Sequence, residues 1–187
     1  IGRLGSTEAE VVGHSMGGKA AMTLALLRPE LVRRLVAVDI APVAYGGTTF
    51  QHYLRQLRGL DLMALGRRTA VDAALAQGVP EPAVRAFLLQ NLAVAPDGLS
   101  WQANLDRLTA DLPGIIGFPQ ELAEHRYQGP ALFIRGELSD YVTGHGWDEA
   151  RKLFPHAELQ TVPGVGHWVQ AEAPAAVMQA IEGFLDR

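Results

Sequence analysis

Residues 11–18 read Val-Val-Gly-His-Ser-Met-Gly-Gly, and this stretch decides the fold of the chain. An apolar run enters a Gly-x-Ser-x-Gly pentapeptide, and the small, helix-prone run Lys19–Ala25 follows it. A strand that ends in such a pentapeptide and turns sharply into a helix places one serine on a strained corner. We expect glycine at positions 13 and 17 because side chains there would collide where strand and helix meet. The pattern therefore predicts an exposed Ser15 with a helix N-terminus behind it.

A serine on such a corner is a candidate nucleophile, and the stretch also supplies part of its surroundings. The backbone N–H of Met16 is predicted to point to the place where negative charge develops on an attacked carbonyl oxygen. His14 is a poor candidate for the base because a residue adjacent to Ser15 points away from it at this corner. We expect His14 to pack or to form a hydrogen bond locally.

Composition excludes several classes of protein. The chain has 187 residues, of which 48% are apolar, and a formal charge of −4, which indicates one soluble globular unit. It shows no basic stripe for nucleic acid and no cysteine for disulfides, thiolate metal sites or a thiol nucleophile. No apolar run approaches the ~20 residues of a membrane helix, and residues 1–5 do not resemble a signal peptide. We therefore expect a cytoplasmic protein without nucleic-acid or membrane partners.

The first part of the chain, residues 1–45, predicts the start of a parallel sheet. Glu8–Gly13 is predicted as a strand and Met16–Arg28 as a helix that ends before Pro29. Leu31–Ile40 ends in a β-branched apolar run without alternation, which is typical of a strand covered on both faces. A strand, a helix and a strand in this order form a right-handed crossover unit of a doubly wound α/β sheet.

Residues 46–128 predict a helical cap inserted into the sheet, with no convincing strand. Apolar residues at three- and four-residue spacing predict four helical segments, and a helical insert between parallel strands is expected to cover their carboxyl ends. The predicted segments are Gln51–Leu57, Leu60–Gln77, Pro82–Asn91 and Trp101–Asp111.

Residues 129–187 predict the second part of the sheet. Ala131–Arg135 and Ala157–Val162 are predicted strands with the helix Gly146–Leu153 between them. A glycine-rich loop follows at residues 163–167, and a final amphipathic helix, Pro174–Leu185, opens with proline in its first turn.

A serine hydroxyl needs a base within hydrogen-bond reach and a third group that orients the base. His167 lies on the glycine-rich loop after a predicted strand, and it follows the order serine, acid, histidine that accompanies a Gly-x-Ser-x-Gly corner. Two carboxylates, Asp140 and Asp39, each come just after a predicted strand and could orient it. The sequence supports Asp140 and Asp39 almost equally as the acid that orients His167, with a slight preference for Asp140.

Four motifs together resemble the α/β-hydrolase-fold serine esterases: Gly13–Ala20, Val38–Pro42, Ser139–Val142 and Gly166–Val169. The likeness is strongest to the small bacterial esterase and acyl-thioesterase-like branch with a helical cap, and it covers essentially the whole chain. It implies the portion of that fold from the nucleophile strand onward, with Ser15 as nucleophile and His167 as base. Most of the superfamily takes its acid from the position of Asp140, whereas some members of this branch use that of Asp39.

The family begins with about four further strands and a His-Gly loop that donates a second oxyanion N–H, whereas this chain starts just before the nucleophile strand. We therefore expect that roughly 70–75 N-terminal residues are missing, because a two-sided parallel sheet needs neighbours. A second chain or fragment that completes the sheet is the alternative.

These features together predict a serine hydrolase that cleaves small to medium acyl esters, or thioesters, through an acyl-enzyme. No cofactor or metal is needed, and the expected partner is a small acyl ester or thioester. Acyl transfer or perhydrolysis by the same serine, and a non-catalytic ligand-binding protein of the same fold, are the alternatives. Met16, Tyr45, Phe118 and Trp168 are expected to line the substrate pocket.

Overall fold

A parallel sheet and a separate helical unit divide the chain. The computed structural model describes residues 5–96 and 98–187, so residues 1–4 of the predicted first core segment lie outside it. One unit comprises the chain up to Ala44 together with Gly117–Arg187, and the other comprises Tyr45–Ile116. The helical unit therefore ends at Ile116, earlier than the predicted boundary at residue 128. That it covers the strand ends stays a prediction.

The sheet unit alternates strands and helices along the chain. Its strands and helices are β1 Ala9–His14, α1 Met16–Leu27, β2 Val32–Val38, β5 Ala131–Gly136, α7 Gly144–Leu153, β6 Ala157–Val162, α8 Val169–Glu172 and α9 Pro174–Leu185, and the labels between them belong to the helical unit. Among the described residues of this unit, four strands pair in the order β1-β2-β5-β6, and each neighbouring pair runs parallel. The predicted mostly parallel α/β sheet is confirmed.

Burial along the strands explains their order in the sheet. The central strand β5 is buried at almost every residue, and β2 is buried continuously from Leu35 to Val38. The outer strand β1 instead alternates between more and less exposed residues. Strands that are buried on both faces need continuous apolar sequence, which the two central strands have. Residues of β2, β5 and α9 form one hydrophobic cluster in this unit.

The helical unit contains a β-hairpin that the sequence prediction missed. Its elements are α2 Thr48–Arg58, α3 Leu62–Leu65, α4 Arg68–Leu75, α5 Pro82–Leu88, β3 Leu92–Ala95, β4 Gly98–Trp101 and α6 Leu105–Ile116. The strands β3 and β4 pair antiparallel, so the expectation of a strand-free insert is wrong. Four-residue strands carry little periodicity, and Trp101, predicted to begin a helix, ends β4 instead. The helix α6 begins later because the Asn104 side chain accepts the Arg107 N–H at 2.9 Å.

The predicted segment Leu60–Gln77 is two helices rather than one. Asp61 caps α3 by accepting the N–H groups of Met63 and Ala64, and Gly66 ends that helix with a φ of 64°. A left-handed residue at a helix C-terminus is commonly glycine, since it has no Cβ to collide with the backbone. The sequence shows this glycine, but the apolar spacing continues across it.

Both connections between the two units converge on one side chain of the sheet unit. Lys19, on α1, is 7% exposed, and its Nζ donates to the carbonyl oxygens of Val43 at 2.9 Å and Gly117 at 2.6 Å. Burial lowers the pKa of Lys19 to about 8. Within the helical unit, the Tyr45 N–H bonds to the Ile116 carbonyl at 3.1 Å, which closes the other side of the junction.

Tyr127 makes a buried hydrogen bond, from which we predict how the free energy of unfolding changes at alkaline pH. Its hydroxyl donates to the Val32 carbonyl at 2.9 Å, and burial raises the pKa of Tyr127 to about 12. Between pH 10 and pH 12 the unfolded chain loses this proton and the native state keeps it, so the unfolding free energy falls as pH rises. We expect Tyr127→Phe to lose about 1 kcal/mol of stability at pH 7 and to show a shallower alkaline decline. Urea unfolding of both proteins from pH 7 to pH 11 measures this, and equal alkaline slopes would contradict it.

No helix among residues 5–96 and 98–187 combines the length and the apolar character required to cross a membrane.

Candidate active site

Ser15 occupies the sharp corner between β1 and α1. Its backbone has a φ of 53° and a ψ of −121°, in a region that residues other than glycine rarely adopt. The surroundings hold this strain, because the Ser15 N–H bonds to the Val38 carbonyl at 3.0 Å and the Ser15 carbonyl accepts the Lys19 N–H at 3.1 Å. The corner predicted from the Gly-x-Ser-x-Gly pattern is therefore present, with Ser15 immediately before the helix.

The glycines at the corner have different roles from those expected. A Cβ on Gly13 would lie 2.3 Å from the Gly17 carbonyl oxygen, and one on Gly18 would lie 2.4 Å from Cγ2 of Ile40. Among the residues that the structure describes, a Cβ on Gly17 would meet nothing within 4 Å outside its own helix. The expectation that Gly17 prevents a collision is therefore wrong. Gly13 and Gly18 allow the close approach.

Two alanine substitutions test this difference. Gly13→Ala is expected to destabilise the chain by about 3 kcal/mol or more, because its Cβ meets backbone that cannot move without opening the corner. Gly17→Ala is expected to be neutral or to stabilise by up to about 1 kcal/mol, since alanine is the better helix former. Chemical denaturation of the two variants and the parent gives the comparison. Equal losses in both would contradict the assignment.

A continuous chain of hydrogen bonds joins Ser15, His167 and Asp39. Ser15 Oγ lies 3.0 Å from His167 Nε2, and His167 Nδ1 lies 2.8 Å from Asp39 Oδ2. A carboxylate only accepts hydrogen bonds, so Nδ1 of neutral His167 carries the proton and Nε2 is free to accept the one from Ser15. The imidazole is thus in the tautomer that a base for Ser15 requires.

Of the two candidate acids, the structure brings Asp39 to His167. Asp39 is completely buried directly after β2, whereas Asp140 is exposed on the segment after β5. The Asp39 carboxylate also accepts the Gly136 N–H at 2.9 Å and the Ser139 hydroxyl. Its backbone has a φ of 50°, so the chain turns sharply where this carboxylate is presented. The slight preference of the sequence prediction for Asp140 does not agree with this geometry.

Close backbone packing fixes the loop that carries His167. A Cβ on Gly136 would lie 2.2 Å from the Gly166 carbonyl oxygen, so the end of β5 directly contacts this loop. The Gly166 N–H donates to Glu172 Oε2 at 2.9 Å, and Gly164 turns the chain with a φ of 71°. His167 therefore extends from a loop anchored on both sides.

His14 contacts His167 rather than a local neighbour. The His14 Nε2–H donates to the His167 carbonyl at 2.9 Å, and the two ring centres are 4.8 Å apart. Burial lowers the pKa of His14 and outweighs the hydrogen bond to the His167 carbonyl, which raises it. With its proton on Nε2, a neutral His14 can accept a hydrogen bond at Nδ1, and the Gln170 side-chain nitrogen lies 3.4 Å from that atom. Its location beside Ser15 was the only sequence signal for this contact.

The expected pocket residues are divided between the two units. Met16 is 62% exposed at the first position of α1, and Trp168 is partly buried directly before α8. Phe118 is partly buried in the sheet unit, whereas Tyr45 belongs to the helical unit. Their roles in binding substrate stay predictions.

A serine, a histidine and a buried carboxylate in sequential hydrogen-bond contact define a class of site that hydrolases use to form acyl-enzymes. The chain belongs to the α/β-hydrolase fold family, whose model matches residues 3–174. The fold and the resemblance expected from the sequence are thereby confirmed.

Several named proteins are similar to this chain. It is 42% identical to the sn-1-specific diacylglycerol lipase ABHD11 of Mus musculus, and the matched region covers 98% of this chain and 61% of that protein. It is 36% identical to esterase YbfF of Escherichia coli, with 96% of this chain and 68% of that protein covered. A solved marine microorganism esterase superposes with a TM-score of 0.92 at 31% identity, over 98% of this chain and 72% of that one. The chain thus spans about three fifths of the length of its diacylglycerol lipase relatives.

Proposed function

We propose that the chain carries the catalytic triad of an ester hydrolase, with Ser15 as nucleophile, His167 as base and Asp39 as the acid that orients it. The observation that carries this proposal is the uninterrupted Ser15–His167–Asp39 contact, with distances of 3.0 Å and 2.8 Å. The strained backbone of Ser15 supports it, because strain of this kind persists where function requires a fixed geometry.

The reaction follows from the protons on these atoms. Ser15 Oγ attacks the acyl carbon while His167 Nε2 takes the hydroxyl proton, and Asp39 stabilises the imidazolium that forms. The tetrahedral intermediate collapses as the same proton passes to the leaving alcohol oxygen, which leaves the acyl group on Ser15. A water molecule then attacks the acyl carbon and gives a proton to Nε2. As the second tetrahedral intermediate collapses, Nε2 returns this proton to Ser15 Oγ, which releases the carboxylic acid and the free serine.

Met16 is proposed to donate to the oxyanion of that intermediate. Met16 is the first residue of α1, so its N–H has no carbonyl partner within the helix, and the positive end of the helix dipole lies there. Removing one such donor costs about 10²–10³ in kcat in other acyl-transfer enzymes.

The substrate class proposed is a carboxylic ester with a small to medium acyl group. Relatives named esterases and a diacylglycerol lipase support an ester over other acyl compounds. The similarity to a probable alcohol acetyltransferase of Saccharomyces cerevisiae, at 31% identity, makes capture of the acyl group by an alcohol the alternative to water.

Intact-mass measurement after treatment with a fluorophosphonate tests the nucleophile. We expect one adduct on the full chain and none on Ser15→Ala. Thr23→Ala, on the same helix, is the matched control and should be labelled like the parent. No adduct on folded protein, or an equal adduct on Ser15→Ala, would overturn the assignment.

Turnover of p-nitrophenyl acyl esters of increasing chain length, with and without added alcohol, then tests the reaction. Acid release without dependence on alcohol supports a hydrolase. A product that is mainly the alcohol ester would replace hydrolysis by acyl transfer.

A further inference from the structure

His14, the last residue of β1, connects the backbone of the proposed nucleophile to that of the proposed base. It directly precedes Ser15 in the chain, and its Nε2 lies 2.9 Å from the carbonyl oxygen of His167. A carbonyl oxygen only accepts hydrogen bonds, so Nε2 of His14 carries the proton and donates it. The proposed reaction gives this imidazole no proton to transfer, although its partner is the residue that transfers all of them.

The sheet fixes the position of His14. This residue is in register with Val38 of the neighbouring strand β2, and the N–H of Ser15 donates to the Val38 carbonyl at 3.0 Å. The His14 ring is partly buried, and its Nδ1 lies 3.4 Å from the side-chain nitrogen of Gln170 on α8. Both ring nitrogens therefore face the stretch 167–170, and the ring joins the end of β1 to that stretch.

Two hydrogen bonds thus hold His167 to the corner at Ser15. One is the contact of Ser15 Oγ with His167 Nε2 at 3.0 Å, and the other is the bond from His14 to the His167 carbonyl. Asp39 contacts the other ring nitrogen, Nδ1, at 2.8 Å, and so it directs the imidazole. His14 instead holds the backbone from which the imidazole extends, and it does so from the residue next to the nucleophile.

In the proposed mechanism, the acyl-enzyme keeps only the second of these two bonds. Once Ser15 Oγ carries the acyl group, it has no proton to donate to His167 Nε2. That nitrogen must then take a proton from water, with the imidazole held in place without help from the serine. The bond from His14 involves no reacting group, so it persists through this half of the reaction. Burial lowers the pKa of His14, which favours a neutral ring beside the imidazolium that His167 becomes.

We propose that His14 is a positioning residue for deacylation: its Nε2–H holds the His167 backbone, and with it the base, while Ser15 is acylated. The inference rests on the proposed ester hydrolase function. It predicts a larger loss in the step that consumes the acyl-enzyme than in the step that forms it, because the Ser15 hydroxyl itself helps to hold His167 during acylation.

Three substitutions at position 14 of the full chain separate the donor from the bulk of the ring. His14→Leu fills similar space without a donor, whereas His14→Gln keeps an N–H at a similar distance from the backbone. His14→Asn carries the same amide on a side chain one methylene shorter, so its N–H does not reach the carbonyl. His156→Leu, at an exposed histidine of the sheet unit, is the matched control for loss of an imidazole. Thermal unfolding of each variant checks its folding.

Hydrolysis of a p-nitrophenyl ester, whose good leaving group makes acylation fast, gives the two rates. Rapid quenching and intact mass follow the decay of the acylated chain, and kcat/KM reports the steps up to acylation. We expect the decay to slow about threefold to tenfold in His14→Leu and His14→Asn, as for loss of one hydrogen bond. Their kcat/KM is expected to stay within about twofold of the parent. His14→Gln and His156→Leu are expected to match the parent in both rates.

The outcomes separate this inference from the proposed function. A folded parent that neither reacts with fluorophosphonate nor hydrolyses the ester contradicts the proposed function, and with it the inference. With an active parent, equal losses in both steps, or no loss in either, overturn the inference alone. A His14→Gln variant as slow as His14→Asn also overturns it, because the N–H would then not be the cause. This pair of amides decides the matter even if His14→Leu does not fold.

Discussion

Ser15→Ala, His167→Ala and the double variant that combines them are each expected to lose about 10⁶ in kcat for an acyl ester. The losses are expected to be equal rather than multiplied, because in the proposed mechanism Ser15 attacks only when His167, 3.0 Å away, takes its proton. Once either group is removed, the other has no step to perform. The residual rate would come from substrate binding and from the N–H groups at the start of α1.

Steady-state kinetics of the three variants, with thermal unfolding as the folding control, measures this non-additivity. His52→Ala is a suitable control for loss of an imidazole, since His52 belongs to the helical unit and bonds to the Gly78 carbonyl there. A double variant far slower than either single variant would show that Ser15 and His167 act in separate steps. That result would contradict the triad.

Asp39→Asn is expected to lower kcat about 10⁴-fold, with KM almost unchanged. The buried carboxylate accepts from His167, Gly136 and Ser139, and an amide has only one oxygen to offer to these donors. An amide nitrogen facing His167 Nδ1 would favour the tautomer with the proton on Nε2. That imidazole cannot accept the proton of Ser15.

Asp140→Asn provides the comparison, because Asp140 also lies shortly after a strand, β5, but its carboxylate is exposed. We expect its kcat to stay within about threefold of the parent, as is usual for an exposed substitution. Parallel measurement of kcat for the two variants decides which carboxylate orients His167. A larger loss in Asp140→Asn than in Asp39→Asn would reverse the assignment of the acid.

The sequence predicted the sheet and two members of the site because their signals are local. A Gly-x-Ser-x-Gly motif between an apolar run and helix formers describes the corner at Ser15 within eight residues. Likewise, a histidine after a strand and a glycine-rich turn describes His167. The apolar run that ends Leu31–Ile40 predicted a strand covered on both faces, and residues 35–38 of β2 are buried accordingly.

The choice of acid could not be predicted because it depends on contacts between distant parts of the chain. Asp39 and Asp140 both follow a strand, and their sequences do not indicate which one approaches His167. The donors that hold Asp39, Gly136 and Ser139, lie about a hundred residues away along the chain. The stacking of Tyr141 on His167 is of the same kind. Such contacts are set by the packing of β5 beside β2.

The role of Gly17 and the hairpin β3–β4 illustrate two other limits. Glycine at position 17 fits the motif, but space around a missing Cβ is a property of the folded chain, and here the space is open. The hairpin has only four residues in each strand, and pairing between strands rather than local periodicity stabilises it.

The two ends of the helical unit lie close together at Lys19, and this limits how much the length of that unit affects the folding of the sheet unit. Because Val43 and Gly117 meet at one ammonium group, and Tyr45 and Ile116 are joined by a hydrogen bond, the insert leaves and returns at nearly one point. The entropy of closing a loop grows only slowly with its length, so the sheet is almost indifferent to how many residues lie between these ends. We therefore expect the region between residues 44 and 117 to tolerate changes of length and sequence at little cost to the folding of the sheet unit.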